Sequence, residues 1–210
     1  MATKTGSLGA CLLAALLCSC ASTSVKSTWK SPDLKAPVGA IAVLCIEERG
    51  MLRQAFENRF VTQLRNAGAQ AFYTYDLLSL EQIQQDKPAA AERLRTKGAS
   101  ALLILRVVDI AKLNQEVRPA DERYVGTISG VETGIWYNYY SVAFMNMSPT
   151  YGSLTQKVYL ETSLYDLNSA KRLYSALTQT VLKENTDRVA EMDPLVRKIV
   201  ERMVQDGVIR

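Results

Sequence analysis

Residues 40–46 read Ala40-Ile41-Ala42-Val43-Leu44-Cys45-Ile46. The run is apolar without alternation, the pattern of a strand covered on both faces. A second run of the same kind, Ala101-Leu102-Leu103-Ile104-Leu105-Arg106-Val107-Val108, is interrupted only by Arg106. Between them, Leu52, Phe56, Phe60 and Leu64 recur every four residues, which lays one apolar stripe along a helix that Gly68 ends. Ala69 to Tyr75 reads as a short strand, with Asp76 in the turn after it. Pro88 suits a first helical turn and opens a shorter helix through Leu94 to a second terminating glycine, Gly98. Three strands linked by helices predict a parallel set with right-handed crossovers.

Toward the C-terminus the pattern changes. Val158, Leu160, Thr162 and Leu164 alternate with Tyr159, Glu161, Ser163 and Tyr165, so one face is more apolar than the other. The turn Asp166-Leu167-Asn168-Ser169-Ala170-Lys171 then leads into a partner strand from Arg172 to about Leu182, an antiparallel hairpin. A last helix is expected from near Asp187, with Met192, Val196, Ile199 and Met203 on one side and Asp193-Pro194 capping and restarting it. Gly207 ends it, and Val208-Ile209 are expected to tuck against the core. The fold class expected is α/β (α+β), a mixed sheet of about five strands with three helices, in the order β-α-β-α-β-(long insert)-β-β-α.

The insert, residues 114–156, is too long for an ordinary connection. It holds Tyr124, Tyr137, Tyr139, Tyr140 and Tyr151, five of the ten tyrosines, with Trp136, Phe144, Met145 and Met147, and Gly126, Gly130 and Gly134 precede the aromatic cluster. Aromatic side chains offer large apolar area at low entropic cost. Three readings are open: an arm packed on its own sheet, a surface for self-association or a partner, and a membrane-contacting hairpin. Trp136, Tyr137, Tyr139 and Tyr140 are the candidate contact residues. A barrel-type hairpin fits least, because Trp136, Tyr140, Val142 and Phe144 share parity with Asn138 and Asn146.

Upstream of the first strand, residues 21–38 are poor in large apolar side chains and rich in serine, with Pro32 and Pro37. This composition predicts a flexible tether over residues 20–38, at most ~70 Å long and averaging ~25 Å. Trp29 within it is expected to dock on the domain or at the membrane interface. Before the tether, Lys4 and the uncharged Leu8-Gly9-Ala10-Cys11-Leu12-Leu13-Ala14-Ala15-Leu16-Leu17-Cys18-Ser19-Cys20 form an export-signal pattern. The apolar run is shorter than the ~20 residues a membrane-spanning helix needs. Its ending, Leu17-Cys18-Ser19-Cys20, resembles a bacterial lipobox. Cys18 is excluded because Leu17 stands where a small residue is required, and Cys11 because almost no apolar run precedes it. Residues 1–19 are therefore expected to be removed and Cys20 to carry a diacylglyceryl thioether and an N-acyl chain such as palmitate. More than one acyl chain, at about 0.8 kcal/mol per buried CH₂, gives stable anchoring. In bacterial lipoproteins an aspartate after the lipidated cysteine favours the inner membrane; Ala21 stands there instead, so the resemblance implies the outer membrane.

Composition bounds function from the other side. Apolar content of 48% and charged content of 22% are those of a globular domain. A net charge of +4 without a basic cluster does not point to nucleic acid. The chain has no histidine, which removes Ser-His-Asp and Cys-His catalysis and His-ligated metal sites. Of four cysteines, Cys45 is the only one expected to stay unmodified in the mature chain, as a small apolar strand residue, so no disulfide framework and no thiolate zinc site are expected. The glycines have no phosphate-loop spacing. The local pairs Glu47-Glu48 and Asp121-Glu122 read as solvated loop charges. No enzyme activity, cofactor or metal is expected.

Several segments together resemble a family. The lipobox, Trp29-Lys30-Ser31-Pro32, Leu52-Arg53-Gln54-Ala55-Phe56-Glu57, Ala99-Ser100-Ala101-Leu102-Leu103, the Tyr/Gly-rich insert, Leu160-Glu161-Thr162-Ser163-Leu164-Tyr165-Asp166 and Asp206-Gly207-Val208-Ile209 look like a group of Gram-negative envelope lipoproteins that carry a domain of unknown function. In that group a glycine usually stands where this chain has Ala170. The order of elements is also similar to the TolB N-terminal domain and to the penicillin-binding-protein-activator and curli-secretion lipoproteins, an analogy of fold that assigns no function. The resemblance implies a periplasmic domain on an outer-membrane lipid anchor, acting as a binding adaptor in envelope assembly or maintenance, with an envelope protein as partner. The alternative is a subunit of a homo-oligomeric envelope or secretion assembly that uses the insert as its interface.

Overall fold

The computed structural model describes residues 22–108, 134–145, 147, 157–181 and 192–210. Six strands are formed: β1 (Ser22–Lys30), β2 (Ile41–Ile46), β3 (Ala71–Tyr73), β4 (Ala101–Val108), β5 (Lys157–Asp166) and β6 (Arg172–Val181). They make one mixed sheet in the order β1-β6-β5-β4-β2-β3. As the apolar runs predicted, β2 is parallel to both β3 and β4, and β5 and β6 form an antiparallel hairpin that joins the sheet along β4.

The described residues contain five helices: α1 (Gly50–Asn66), α2 (Leu80–Gln85), α3 (Lys87–Thr96), α4 (Trp136–Met145) and α5 (Met192–Gln205). Alternation along β4 divides the interior into two cores. Leu103 and Leu105 face one side, where Phe56, Phe60 and Leu64 of α1 and Val196, Ile199 and Met203 of α5 cover them. Leu102 and Ile104 face the other side, under Ile83 of α2, Leu94 of α3 and Trp136 and Tyr140 of α4. Strands buried on both faces need no polar alternation, which is why β2 and β4 read as continuous apolar runs.

Three helices end alike. Gly68, Gly98 and Gly207 take φ of 87°, 93° and 66°. In each case the glycine N–H and the next residue's N–H bond back into the last turn, as in Gly68 to Arg65 O and Ala69 to Leu64 O. These are Schellman caps that satisfy otherwise orphaned carbonyls. Val208 and Ile209 then turn into the core, and Val38 donates to Val208 O at 3.0 Å.

The structure corrects four expectations. The expected tether of residues 20–38 is in large part a strand, because β1 pairs antiparallel with β6 from Ser22 opposite Val181 to Lys30 opposite Tyr174. Thr23, Val25, Thr28 and Trp29 favour extended structure, and an edge strand can be largely polar. Cross-links secure it: Thr23 Oγ1 lies 3.0 Å from Thr180 Oγ1, Lys30 Nζ donates to Asp206 O at 2.8 Å, and Arg202 donates to Thr28 Oγ1 at 3.1 Å. The sheet therefore has six strands rather than about five. Five helices replace three, because a short α2 with a Ser79–Gln82 capping box precedes α3, and part of the insert folds as α4. The second strand is also shorter than Ala69 to Tyr75, since the chain turns away after Tyr73. Tyr124, Tyr151, Gly126, Gly130, Asp121, Glu122, Asp187 and residues 1–21, Cys20 included, lie outside the described residues.

Candidate functional site

The carboxyl ends of β2, which leads to α1 on one face, and of β3, which leads to α2 and α3 on the other, are joined by a side chain of the protein itself. Glu57, fully buried on α1, accepts from the backbone N–H of Cys45 at 3.1 Å, Thr74 at 2.6 Å and Tyr75 at 2.9 Å. Arg53, one helical turn earlier, donates Nε to the same carboxylate at 2.8 Å. Its Nη2 donates to Thr74 Oγ1 at 3.2 Å and to Leu78 O at 3.0 Å.

Burial pushes the Glu57 carboxyl above its usual range, against the pull of Arg53 and the backbone donors. Burial, followed by the charges of Glu57 and Glu47, also pushes the Cys45 thiol well up. A high thiol pKa and 1% exposure make Cys45 inert, consistent with a small apolar strand residue. The cluster ties the ends of β2 and β3 to α1.

A second polar cluster lies within the sheet face that carries α4. Arg106 on β4 and Glu161 on β5 are cross-strand partners, with Arg106 Nη1 3.8 Å from Glu161 Oε2. Tyr139 on α4 donates its hydroxyl to that oxygen at 3.0 Å. Burial and the Glu161 charge push the Tyr139 phenol well above its ordinary value. Tyr140 donates to Leu80 O at 2.7 Å, joining α4 to α2.

The four expected contact residues are therefore not one surface. Trp136, Tyr139 and Tyr140 are fully buried in the domain's own core, and only Tyr137 is half-exposed. Spacings of three and four residues (136, 139, 140, 143) put them on the inner side of a helix, the feature that a test for strand alternation does not detect. The start of α4 is fixed to the hairpin turn: Trp136 N–H donates to Ala170 O at 3.0 Å and Arg172 N–H to Gly134 O at 2.8 Å. Trp29 docks on the domain, with the Arg172 guanidinium 5.1 Å from the centre of its ring. Glu47 pairs with Arg49 at 2.8 Å near the surface, in keeping with a loop charge.

Sequence reasoning missed Arg53, Glu57, Arg106 and Glu161. The available signals were a charged residue inside the otherwise apolar β4 run and an i,i+4 Arg–Glu pair followed one turn later by Val61 on the same stripe.

The class these features define is a three-layer α/β/α domain on a six-stranded mixed sheet. No protein-family model matches the sequence, and no curated protein matches it. Among solved structures the chain is similar to the PelC dodecamer from Paraburkholderia phytofirmans, at 13% identity over 90% of this chain and 99% of that chain with a TM-score of 0.46. A variant of that dodecamer gives 14% identity over 86% of this chain and 95% of that one, with a TM-score of 0.44. Lipoprotein GNA1162 from Neisseria meningitidis gives 14% identity over 80% of this chain and 97% of that one, with a TM-score of 0.43. No helix among the described residues is long and apolar enough to cross a membrane.

Proposed function

We propose that this chain is an outer-membrane lipoprotein, anchored through Cys20, whose periplasmic domain works by binding and not by catalysis. The observation that supports the non-catalytic part of this reading is the Glu57 cluster, in which five donor groups of the protein converge on its own carboxylate. The carboxylate is a structural tie rather than a general base, because its oxygens are already committed to those donors. The anchor rests on the lipobox Leu17-Cys18-Ser19-Cys20.

The test has two parts. Growth with an alkyne fatty acid should label the wild-type chain and leave Cys20→Ala unlabelled; an unlabelled wild type rejects the anchor. Because Tyr139 is buried, photocrosslinking should start from exposed Met51 or Met145. Capture of a defined second envelope protein, lost on its deletion and recovered with the purified pair, supports an adaptor. Capture of the chain itself, with a matching oligomer by light scattering of a lipid-free form from Ser22, supports an assembly subunit instead. A turnover of envelope polysaccharide or peptide by the purified domain rejects the non-enzymatic reading.

A further inference from the structure

We infer that the carboxyl end of the parallel strands faces the lipid surface at close range. This rests on acylation of Cys20. The first described residue, Ser22, is already paired with Val181 in the sheet. Two residue steps separate it from Cys20, a reach of at most about 7 Å. The domain is therefore not suspended on a coil, and the end of β1 at Ser22 sits at the membrane.

Strand register identifies what else lies at that end. β1 is antiparallel to β6, β6 to β5 and β5 to β4, while β2 is parallel to β4. Ser22, Val181, Val108 and Ile46 consequently share one end of the sheet. Lys30, the turn Asp166–Lys171 and Gly98 share the other, about 30 Å away along nine residues of β1.

A short tether alone would permit the domain to lie on its β1 edge. One observation favours the end-on arrangement. Met51, 87% exposed and the largest outlier among the described apolar side chains, stands in the first turn of α1 directly after β2 ends. It lies about 19 Å across the sheet from β1, four strand spacings away. An end-on domain brings Ser22 and Met51 to the lipid together, and an edge-on domain lifts Met51 clear of it.

The test uses full lipidated protein in vesicles of phosphatidylethanolamine and phosphatidylglycerol carrying a headgroup quencher. Cys45 is buried, so a cysteine introduced at exposed Glu48 or Asn168 takes a fluorophore selectively. Glu48→Cys should be quenched several-fold more than Asn168→Cys. A ten-residue Gly/Ser insertion between Ala21 and Ser22, averaging about 17 Å, should reduce that ratio toward one. Equal quenching of the two labels, or stronger quenching at Asn168, overturns the orientation, and a ratio unchanged by the insertion overturns the tether as its cause. A mass spectrum without acyl groups overturns the anchor itself, and so separates failure of that reading from failure of the orientation.

Discussion

Glu57 and Arg53 show how one buried ion pair fixes a strand end, and how it would fail. A buried pair contributes little net stability against a well-packed apolar alternative, but removing one partner leaves the other charge uncompensated at a cost of about 3–5 kcal/mol. Arg53→Leu should therefore lower unfolding free energy by about that amount in urea, with the slope unchanged. Arg53→Leu combined with Glu57→Leu should cost clearly less than the sum of the single changes, because the two share one network. Additive costs would mean that the pair is not coupled. Backbone strain gives a second prediction. Gly98 adopts φ 93° with nothing within 4 Å of a built Cβ, so Gly98→Ala meets conformational strain alone, of roughly 1–2 kcal/mol. Ala170 already sits at φ 59° and is 7% exposed. Ala170→Gly relieves a similar strain, but loses most of a buried methyl worth about 0.8 kcal/mol and adds unfolded-chain entropy worth about 0.4–1 kcal/mol. Ala170→Gly should therefore change stability by less than about 1 kcal/mol, read from the same denaturant curves.

At the scale of elements, α4 is the piece whose removal should matter most, because one helix supplies Trp136, Tyr139 and Tyr140 to a single core. Trp136→Ala should cost about 3–5 kcal/mol, a cavity effect visible as a lower thermal midpoint. A change below 1 kcal/mol would return the aromatic cluster to the surface. The same helix shows where sequence patterns stop being informative. β2, β4, α1, the hairpin and the last helix were legible because continuous runs, alternation and four-residue spacing each have one simple structural meaning. Gly68, Gly98 and Gly207 marked real helix ends for the same reason. β1 was illegible because Ser, Thr and Lys at an edge satisfy backbone pairing without an apolar face. α4 was illegible because tyrosines recur beyond its inner face, so polarity did not separate inside from outside. The helical stripe of Arg53, Glu57 and Val61 hinted that Glu57 is buried, but its partners were not legible, since the three backbone N–H groups that hold it come from residues 12 to 18 positions away.

For the molecule as a whole, the buried phenols link both cores to pH. Tyr139, Tyr140, Tyr165 and Tyr174 are fully buried, and burial pushes each phenol above its ordinary value of about 10. Glu161 adds to the rise at Tyr139 and Tyr165, and Asp206, which accepts the Tyr174 hydroxyl at 2.9 Å, adds to it at Tyr174. The folded state thus holds four protons that the unfolded chain releases near pH 10. Their contribution is complete below that pH and declines as pH rises toward the folded values. One unit above it, each phenol favours unfolding by about 1.4 kcal/mol, so four together favour it by about 5.6 kcal/mol, comparable with the whole stability of about 5–15 kcal/mol. The domain should unfold cooperatively about one to two pH units above 10, and these four tyrosinate signals should appear in the same transition as the loss of circular dichroism. Tyr174→Phe should move that transition upward, because it removes one of the released protons together with the hydroxyl that bonds Asp206. Ionisation of all four phenols while the circular dichroism stays native would show that the tyrosines of α4 and the sheet are open to solvent.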